Sequence, residues 1–178
     1  MLGTLVGCIV SPSAYTHLMS AGFGTVNIRE DDAVVLIGVS ARSLRGVDDN
    51  HDGLLQPDEI KRHHDDILQQ IRSGFILKID GIQAKVSEEY LLVSMHVDNK
   101  QSTPQIEWWS RLVFEPLSGK VSPCVVLQLN WLLPDKTADE QAGYGIQIIR
   151  NAMNQLGHFT KSHSTQQFHC LANEISKQ

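Results

Sequence analysis

The stretch DDNHDGLLQPDE, residues 48–59, separates two short apolar segments from a longer run of segments with alternating polarity. Within it, groups that carry oxygen recur on alternate residues, and Gly53 lies between them. Short Asp and Asn side chains on alternate residues of a tight loop point inward, so this spacing predicts a site for a hard cation. The candidate ligands are Asp48, Asn50, Asp52, the backbone carbonyl of Leu54, Gln56 and Glu59.

This spacing resembles the EF-hand family, whose loop holds Ca²⁺ through oxygens at positions 1, 3, 5, 7, 9 and 12, with glycine at 6. The resemblance covers residues 48–59. It implies that Ca²⁺ is the bound ion, that Glu59 is a bidentate ligand, and that Leu55 makes a short strand contact. A solvated turn would also be rich in Asp, Asn and Gly, but would not constrain six positions in register. Two departures are a short preceding helix, predicted over residues 41–47, and the lack of a second such loop in the sequence.

The segments beside this loop predict two strands and one helix. Residues 22–29 and 33–39 are predicted strands joined by an acidic turn. Pro57 suits the first position of a helix, which we predict over residues 57–72 with Asp58 and Glu59 near its positive end. Its apolar face repeats at helical spacing and comprises Ile60, His64, Ile67, Leu68 and Ile71.

After the helix the period of the apolar residues changes to two, which predicts strands. The Asp80-Gly81 pair predicts a type I′ hairpin between strands over 75–79 and 82–87. Further strands are predicted over 89–98, 105–115, 124–132 and 144–149, with one or two edge strands after them. A helix over 146–156 is the alternative to the strand at 144–149. The predicted core positions are Leu91, Val93, Met95, Val97, Ile106, Trp108, Leu112 and Phe114.

These elements predict an α+β, mainly β fold, namely an antiparallel β-sandwich with a loop-helix unit inserted at residues 40–72. Residues 15–178 would form one domain. The order of elements resembles the extracytoplasmic domain of nickel-permease accessory proteins of the hydrogenase/urease type, over about residues 15–170. The membrane helices of those proteins have no counterpart in this sequence, so the resemblance implies no role in nickel transport.

Composition and the first residues bear on partners and location. The chain has 178 residues and a formal net charge of −5, which argues against a nucleic-acid partner. It has no apolar stretch long enough to cross a membrane. Residues 1–14 predict a secretory signal with cleavage near Ala14; lipidation at Cys8 and a buried first strand are the alternatives. We therefore expect a periplasmic or secreted protein, in which Cys124 and Cys170 either bridge or stay free.

Other functions have weaker support in the sequence. The chain has eight histidines, which permits a transition-metal site, but the spacings of His158, His163 and His169 fit no known ligand pattern. Trp108-Trp109 permits a carbohydrate platform, although alternation assigns Trp108 to the core. No catalytic motif is found, so we do not expect an enzyme. Calcium is expected to stabilise the inserted unit. The sequence also permits a protein partner or a membrane-associated partner.

Overall fold

The computed structural model describes residues 22–52, 54–98, 101–117, 123–130, 143–151, 153–160 and 162–169. These residues form ten strands and two helices. The predictions for residues 1–14, Cys8, Gly53 and Cys170 lie outside the described residues. No helix in the described ranges is long and apolar enough to cross a membrane.

The strands form two sheets that pack face to face. The six-stranded sheet has the order β5-β6-β2-β1-β8-β9 and the four-stranded sheet the order β10-β7-β3-β4. In the first sheet, the strands are β1 (Phe23–Ile28), β2 (Asp32–Val39), β5 (Lys85–Asp98), β6 (Gln101–Val113), β8 (Tyr144–Arg150) and β9 (Met153–Phe159). In the second, they are β3 (Phe75–Ile79), β4 (Ile82–Gln83), β7 (Cys124–Leu129) and β10 (Thr165–His169).

Pairing is mainly antiparallel, so the prediction of a mainly β, antiparallel sandwich is confirmed, and among the described strands there is one parallel pair. Strand β1 runs parallel to β8, with Phe23 opposite Gly145. Parallel neighbours need a long connection, and here the whole chain from β2 to β7 supplies it. The strand over 144–149 is confirmed, and a helix over 146–156 is not formed, since β8 and β9 pair along their full length.

The core lies between the sheets, where alternate residues of strands such as β1, β3 and β7 point inward. Trp108 is fully buried and its ring packs edge-on against Phe75, with ring centres 5.2 Å apart. Ile106 and Leu112 are buried as predicted. Val93 is 45% exposed and the core prediction is wrong there. The reason is that Val93 pairs with Ile106, the residue at which β2 stops pairing with β6.

Two turns follow from local chemistry. The predicted hairpin at Asp80-Gly81 is confirmed, with φ of 51° and 83° at the two residues, as a type I′ turn requires. At the turn between β1 and β2, Asp32 is buried and its carboxylate accepts a hydrogen bond of 2.7 Å from Arg111 Nε. That bond and the attraction of Asp32 raise the pKa of Arg111, which favours the charged form of its guanidinium.

The loop-helix unit, residues 40–74, crosses from β2 in one sheet to β3 in the other. The predicted helix over 57–72 is two helices, α1 (Pro57–Arg62) and α2 (His64–Gly74), which meet at His63. The predicted preceding helix is only a 3-10 turn, Ala41–Ser43. The apolar face packs into the core as predicted, through Ile60, Ile67, Leu68 and Ile71. His64 is the exception: it is exposed and lies 3.0 Å from Asp65.

Candidate metal centre

The start of the loop-helix unit is fixed to the six-stranded sheet by Tyr144 of β8. The Tyr144 hydroxyl accepts a hydrogen bond of 3.2 Å from the Ser40 amide and lies 3.4 Å from Ser43 Oγ. Burial raises the pKa of Tyr144, against a smaller lowering by the Ser43 and Ser40 hydrogen bonds. The hydroxyl therefore stays protonated at neutral pH and anchors the chain before the candidate loop.

Side chains rather than a helix hold the next residues in place. Gln70 of α2 bonds Arg45 twice, accepting from its amide at 2.8 Å and donating to its carbonyl at 2.9 Å. Leu44 and Val47 are buried beside this link. The chain thus reaches Asp48 in a fixed position although the helix predicted there is not formed.

Asn50 and Asp52, the third and fifth loop positions, fold the loop through their side chains. Asn50 Oδ1 accepts from the Asp52 amide at 2.9 Å, and Asp52 Oδ1 accepts from the Leu54 amide at 2.8 Å. Asn50 Nδ2 also donates to Asp52 Oδ2 at 3.1 Å. Asn and Asp favour such turns because their oxygens reach the backbone two residues on. The two side chains therefore lie in contact with each other, as two ligands of one ion would.

Glu59 closes the loop. Its side chain is buried, with the residue 5% exposed. Oε1 accepts from the Asp49 amide at 2.9 Å and from the Asn50 amide at 3.4 Å, while Oε2 accepts from the Gln56 amide at 2.8 Å. The Gln56 side chain in turn bonds the Glu59 backbone, which completes a capping box at the start of α1. One carboxylate thus joins the beginning of the loop to its end.

The two acidic residues at the start of the loop have different surroundings. Asp48, the first predicted ligand, is half-buried and its Oδ1 atom is shielded from solvent. Asp49 turns outward and pairs with Arg62 and with His63, whose Nε2 lies 2.9 Å from Asp49 Oδ1. Asp49 is thereby engaged away from the loop interior, as expected for a second loop position that is not a ligand.

The seventh and eighth positions also differ. Leu54 is 40% exposed and Leu55 is 1% exposed, within the core cluster. The predicted strand contact at Leu55 is wrong, because Leu55 lies outside every described strand and anchors the loop by burial instead. Leu54, by contrast, contributes to the predicted site only through its backbone carbonyl.

The structure brings some of the predicted ligands together and leaves others apart. Glu59 contacts Gln56 and the backbone of Asn50, and Asn50 contacts Asp52. Within the described ranges, no three His, Cys, Asp or Glu side chains converge as a metal-binding group. The donor set nevertheless fits a hard cation, since it consists of carboxylate, amide and carbonyl oxygens without sulfur or imidazole.

Sequence reasoning missed the residues that support the loop from outside. Arg62 and His63 bind Asp49, and Tyr144 binds the chain at Ser40 and Ser43. The contact of Asp49 with Arg62 and His63 has a weak signal in the sequence, since an acidic residue at the second loop position is followed by basic residues in and after α1. Nothing in the sequence indicates the contact of Tyr144 with Ser40 and Ser43, because Tyr144 comes from a strand far along the chain.

The residues considered for other functions are dispersed. Trp108 is in the core as predicted, and Trp109 is half-buried beside Tyr90, with ring centres 5.3 Å apart. His158 and His163 are both exposed, and the side chain of His169 lies outside the described residues. Cys124 is half-buried on β7.

No protein-family model matches the chain, and no curated protein matches its sequence.

Proposed function

We propose that residues 48–59 bind one Ca²⁺ and that the ion stabilises the loop-helix unit against the two sheets. The observation that carries the proposal is the buried Glu59 carboxylate, which already joins both ends of a loop with oxygen ligands at EF-hand spacing. The ligands would be Asp48, Asn50, Asp52, the Leu54 carbonyl, Gln56 and Glu59.

Charge supports the same proposal. Asp48, Asp52 and Glu59 place three carboxylates in a short loop, while Asp49 pairs with Arg62 and His63. A divalent cation would relieve the repulsion among these three carboxylates, with the greatest effect where Glu59 is shielded from water. Extracellular EF-hand modules bind Ca²⁺ with dissociation constants of about 10⁻⁴ to 10⁻³ M. That range suits a stabilising ion in an exported protein, the location we expect from the sequence.

Asp52→Asn is the sharpest test. Asparagine keeps the Oδ1 atom that accepts from the Leu54 amide and loses the exposed contact from Asn50 Nδ2, so the turn at Leu54 survives while one ligand charge is lost. The matched control is Asp58→Asn, which removes the same charge from an exposed residue outside the ligand set. We expect one Ca²⁺ per wild-type chain by calorimetry. Affinity should be at least about tenfold weaker in Asp52→Asn, or about 1.4 kcal/mol, and nearly unchanged in Asp58→Asn.

Stability gives a second readout. With the dissociation constants above, about 10 mM Ca²⁺ should raise the free energy of unfolding of the wild type by about 1.4–2.7 kcal/mol. The increment should fall by about 1 kcal/mol in Asp52→Asn. Absence of Ca²⁺ binding to the wild type in both calorimetry and equilibrium dialysis would contradict the proposal. So would equal losses in the two variants, or tight Zn²⁺ or Ni²⁺ binding that persists in Asp52→Asn and disappears when His158 and His163 are replaced.

A further inference from the structure

Strand β5 is the outer edge of the six-stranded sheet and has fourteen residues, more than any other described strand. It pairs with β6 on one side. Its other side presents a row of backbone N–H and C=O groups to which no described strand pairs. Such an edge is a template for another strand, and proteins usually protect it with charges, proline or a bulge.

The middle of β5 has none of these protections. Residues 90–95, YLLVSM, contain no charge and no proline, and the irregularity in the pairing of β5 lies earlier, between Val86 and Glu88. Apolar side chains are exposed on both faces of this stretch: Tyr90 is 55% and Leu92 46% exposed on the outer face, and Val93 is 45% exposed on the inner face. An incoming strand would cover apolar surface on both faces while it satisfies the free edge.

We propose that the occupant of this edge is a second copy of the chain, with β5 paired antiparallel to β5 of the copy about a two-fold axis perpendicular to the sheet. Such an axis places residues of the same face opposite each other. Centred on Leu91, the pairing puts Tyr90 opposite Leu92 and Glu89 opposite Val93. Neither this register nor the one centred on the next residue opposes two like charges, so charge repulsion does not prevent the strand from pairing with itself.

A two-fold pair also hydrogen-bonds the β5 edge of both copies in one interface, so neither copy has an unpaired β5 edge. The opposite edge of the sheet, β9, is shorter at seven residues, and pairing of β5 with β9 would extend copy by copy without closing. Closure therefore favours β5 with β5. A strand from a different protein is the competing occupant, and it would leave the isolated chain monomeric.

The test is sedimentation equilibrium of the full chain up to about 100 µM, a concentration at which a dissociation constant of 10 µM or below gives mostly dimer. Leu92→Lys places two lysines on the same face close to the axis, diagonally across in the register centred on Leu91 and directly opposite in the one centred on Leu92, and should weaken the dimer at least about tenfold. Leu156→Lys is the control, because Leu156 is 74% exposed on β9. It should leave the dimer intact. Circular dichroism checks that each variant folds.

Charge complementation makes the test specific for the two-fold arrangement. Leu92→Lys and Leu92→Glu should each alone dimerise at least about tenfold more weakly than the wild type and should recover dimerisation when mixed, because residue 92 of each copy lies near residue 92 of the other on the same face in either register. A monomeric wild type at the highest concentration would overturn the proposal. A dimer that survives Leu92→Lys, or is lost in Leu156→Lys, would overturn it too.

Discussion

Replacing Glu59 with alanine should destabilise the protein in the absence of any metal ion. The carboxylate accepts three backbone amides, from Asp49, Asn50 and Gln56. Alanine leaves all three without this partner and removes the side chain that ties the loop to α1. The effect is thus separable from calcium binding, since it concerns hydrogen bonds within the chain.

The magnitude follows from the geometry. Loss of the capping contact to Gln56 costs about 1 kcal/mol. The 2.9 Å bond from the Asp49 amide to a charged acceptor is worth about 1.5–3 kcal/mol, and the 3.4 Å contact from Asn50 adds little. Because Asp49 is an exposed residue and its hydrogen bond to Glu59 is only partly buried, water in the variant offsets part of the loss. We expect about 2–4 kcal/mol for Glu59→Ala and about half of that for Glu59→Gln, which keeps one acceptor oxygen.

Urea unfolding in excess EDTA measures this difference without contribution from divalent ions. The control is Asp58→Ala, since Asp58 is exposed in the same helical turn and should cost no more than about 1 kcal/mol. If Glu59→Ala unfolded at the wild-type urea concentration in EDTA, the carboxylate would not be holding the loop. If the expected destabilisation is found, Glu59→Gln is a poor probe of calcium affinity, because the substitution destabilises the loop even when no ion is bound.

Two further predictions concern the anchors of the loop. Leu55→Ala should lower the free energy of unfolding by about 2–5 kcal/mol, because Leu55 is buried in the core. Leu54→Ala is the control and should change it by less than about 1 kcal/mol, because Leu54 is exposed. Equal effects of the two substitutions in urea unfolding would show that Leu55 does not anchor the loop. Tyr144→Phe should cost about 1 kcal/mol at pH 7 through lost hydrogen bonds. Because burial raises the pKa of Tyr144 above its unfolded value, its contribution is present below about pH 10 and is lost as the pH rises further, so the stability difference between the wild type and Tyr144→Phe should shrink as the pH rises above about 10. A constant difference across that range would contradict the assignment.

Much of the secondary structure follows from local pattern. The alternation in β6 identified that strand and its buried face, the apolar run over 33–39 identified β2, and Asp80-Gly81 identified the hairpin. These features depend on neighbours in sequence, so periodicity and turn chemistry are sufficient to predict them.

Features that depend on distant residues were not predictable in the same way. The division of the helix at His63 accompanies contacts of His63 with Asp49 and Asp66, and helical periodicity carries no information about the first of them. Periodicity also shows which face of β1 is buried, but not that β8 is its parallel neighbour. Val93 alternates like a core residue and is exposed because β2 ends beside it.

The candidate site was also predictable only where it depends on local sequence. Spacing alone selected the oxygen-bearing residues of 48–59, and Pro57 and Glu59 have the predicted places at the start of α1. The hydrogen bonds of Glu59 to the loop backbone could not be read from spacing, since the side chain reaches across ten residues to Asp49. The burial of Leu55 is set by the sheets on which the loop rests.

The parallel pairing of β1 with β8 has a consequence for synthesis. Both neighbours of β1 are needed to complete its backbone hydrogen bonds, and β2 follows at once while β8 is made only after seven strands have emerged. At about 5–20 residues per second, Gly145 is added several seconds after Phe23. During that interval the nascent sheet has an open edge at β1, whose residues Val26 and Ile28 are apolar. Chain elongation rate, rather than the stability of the finished sheet, would then determine how long this edge is open to wrong partners.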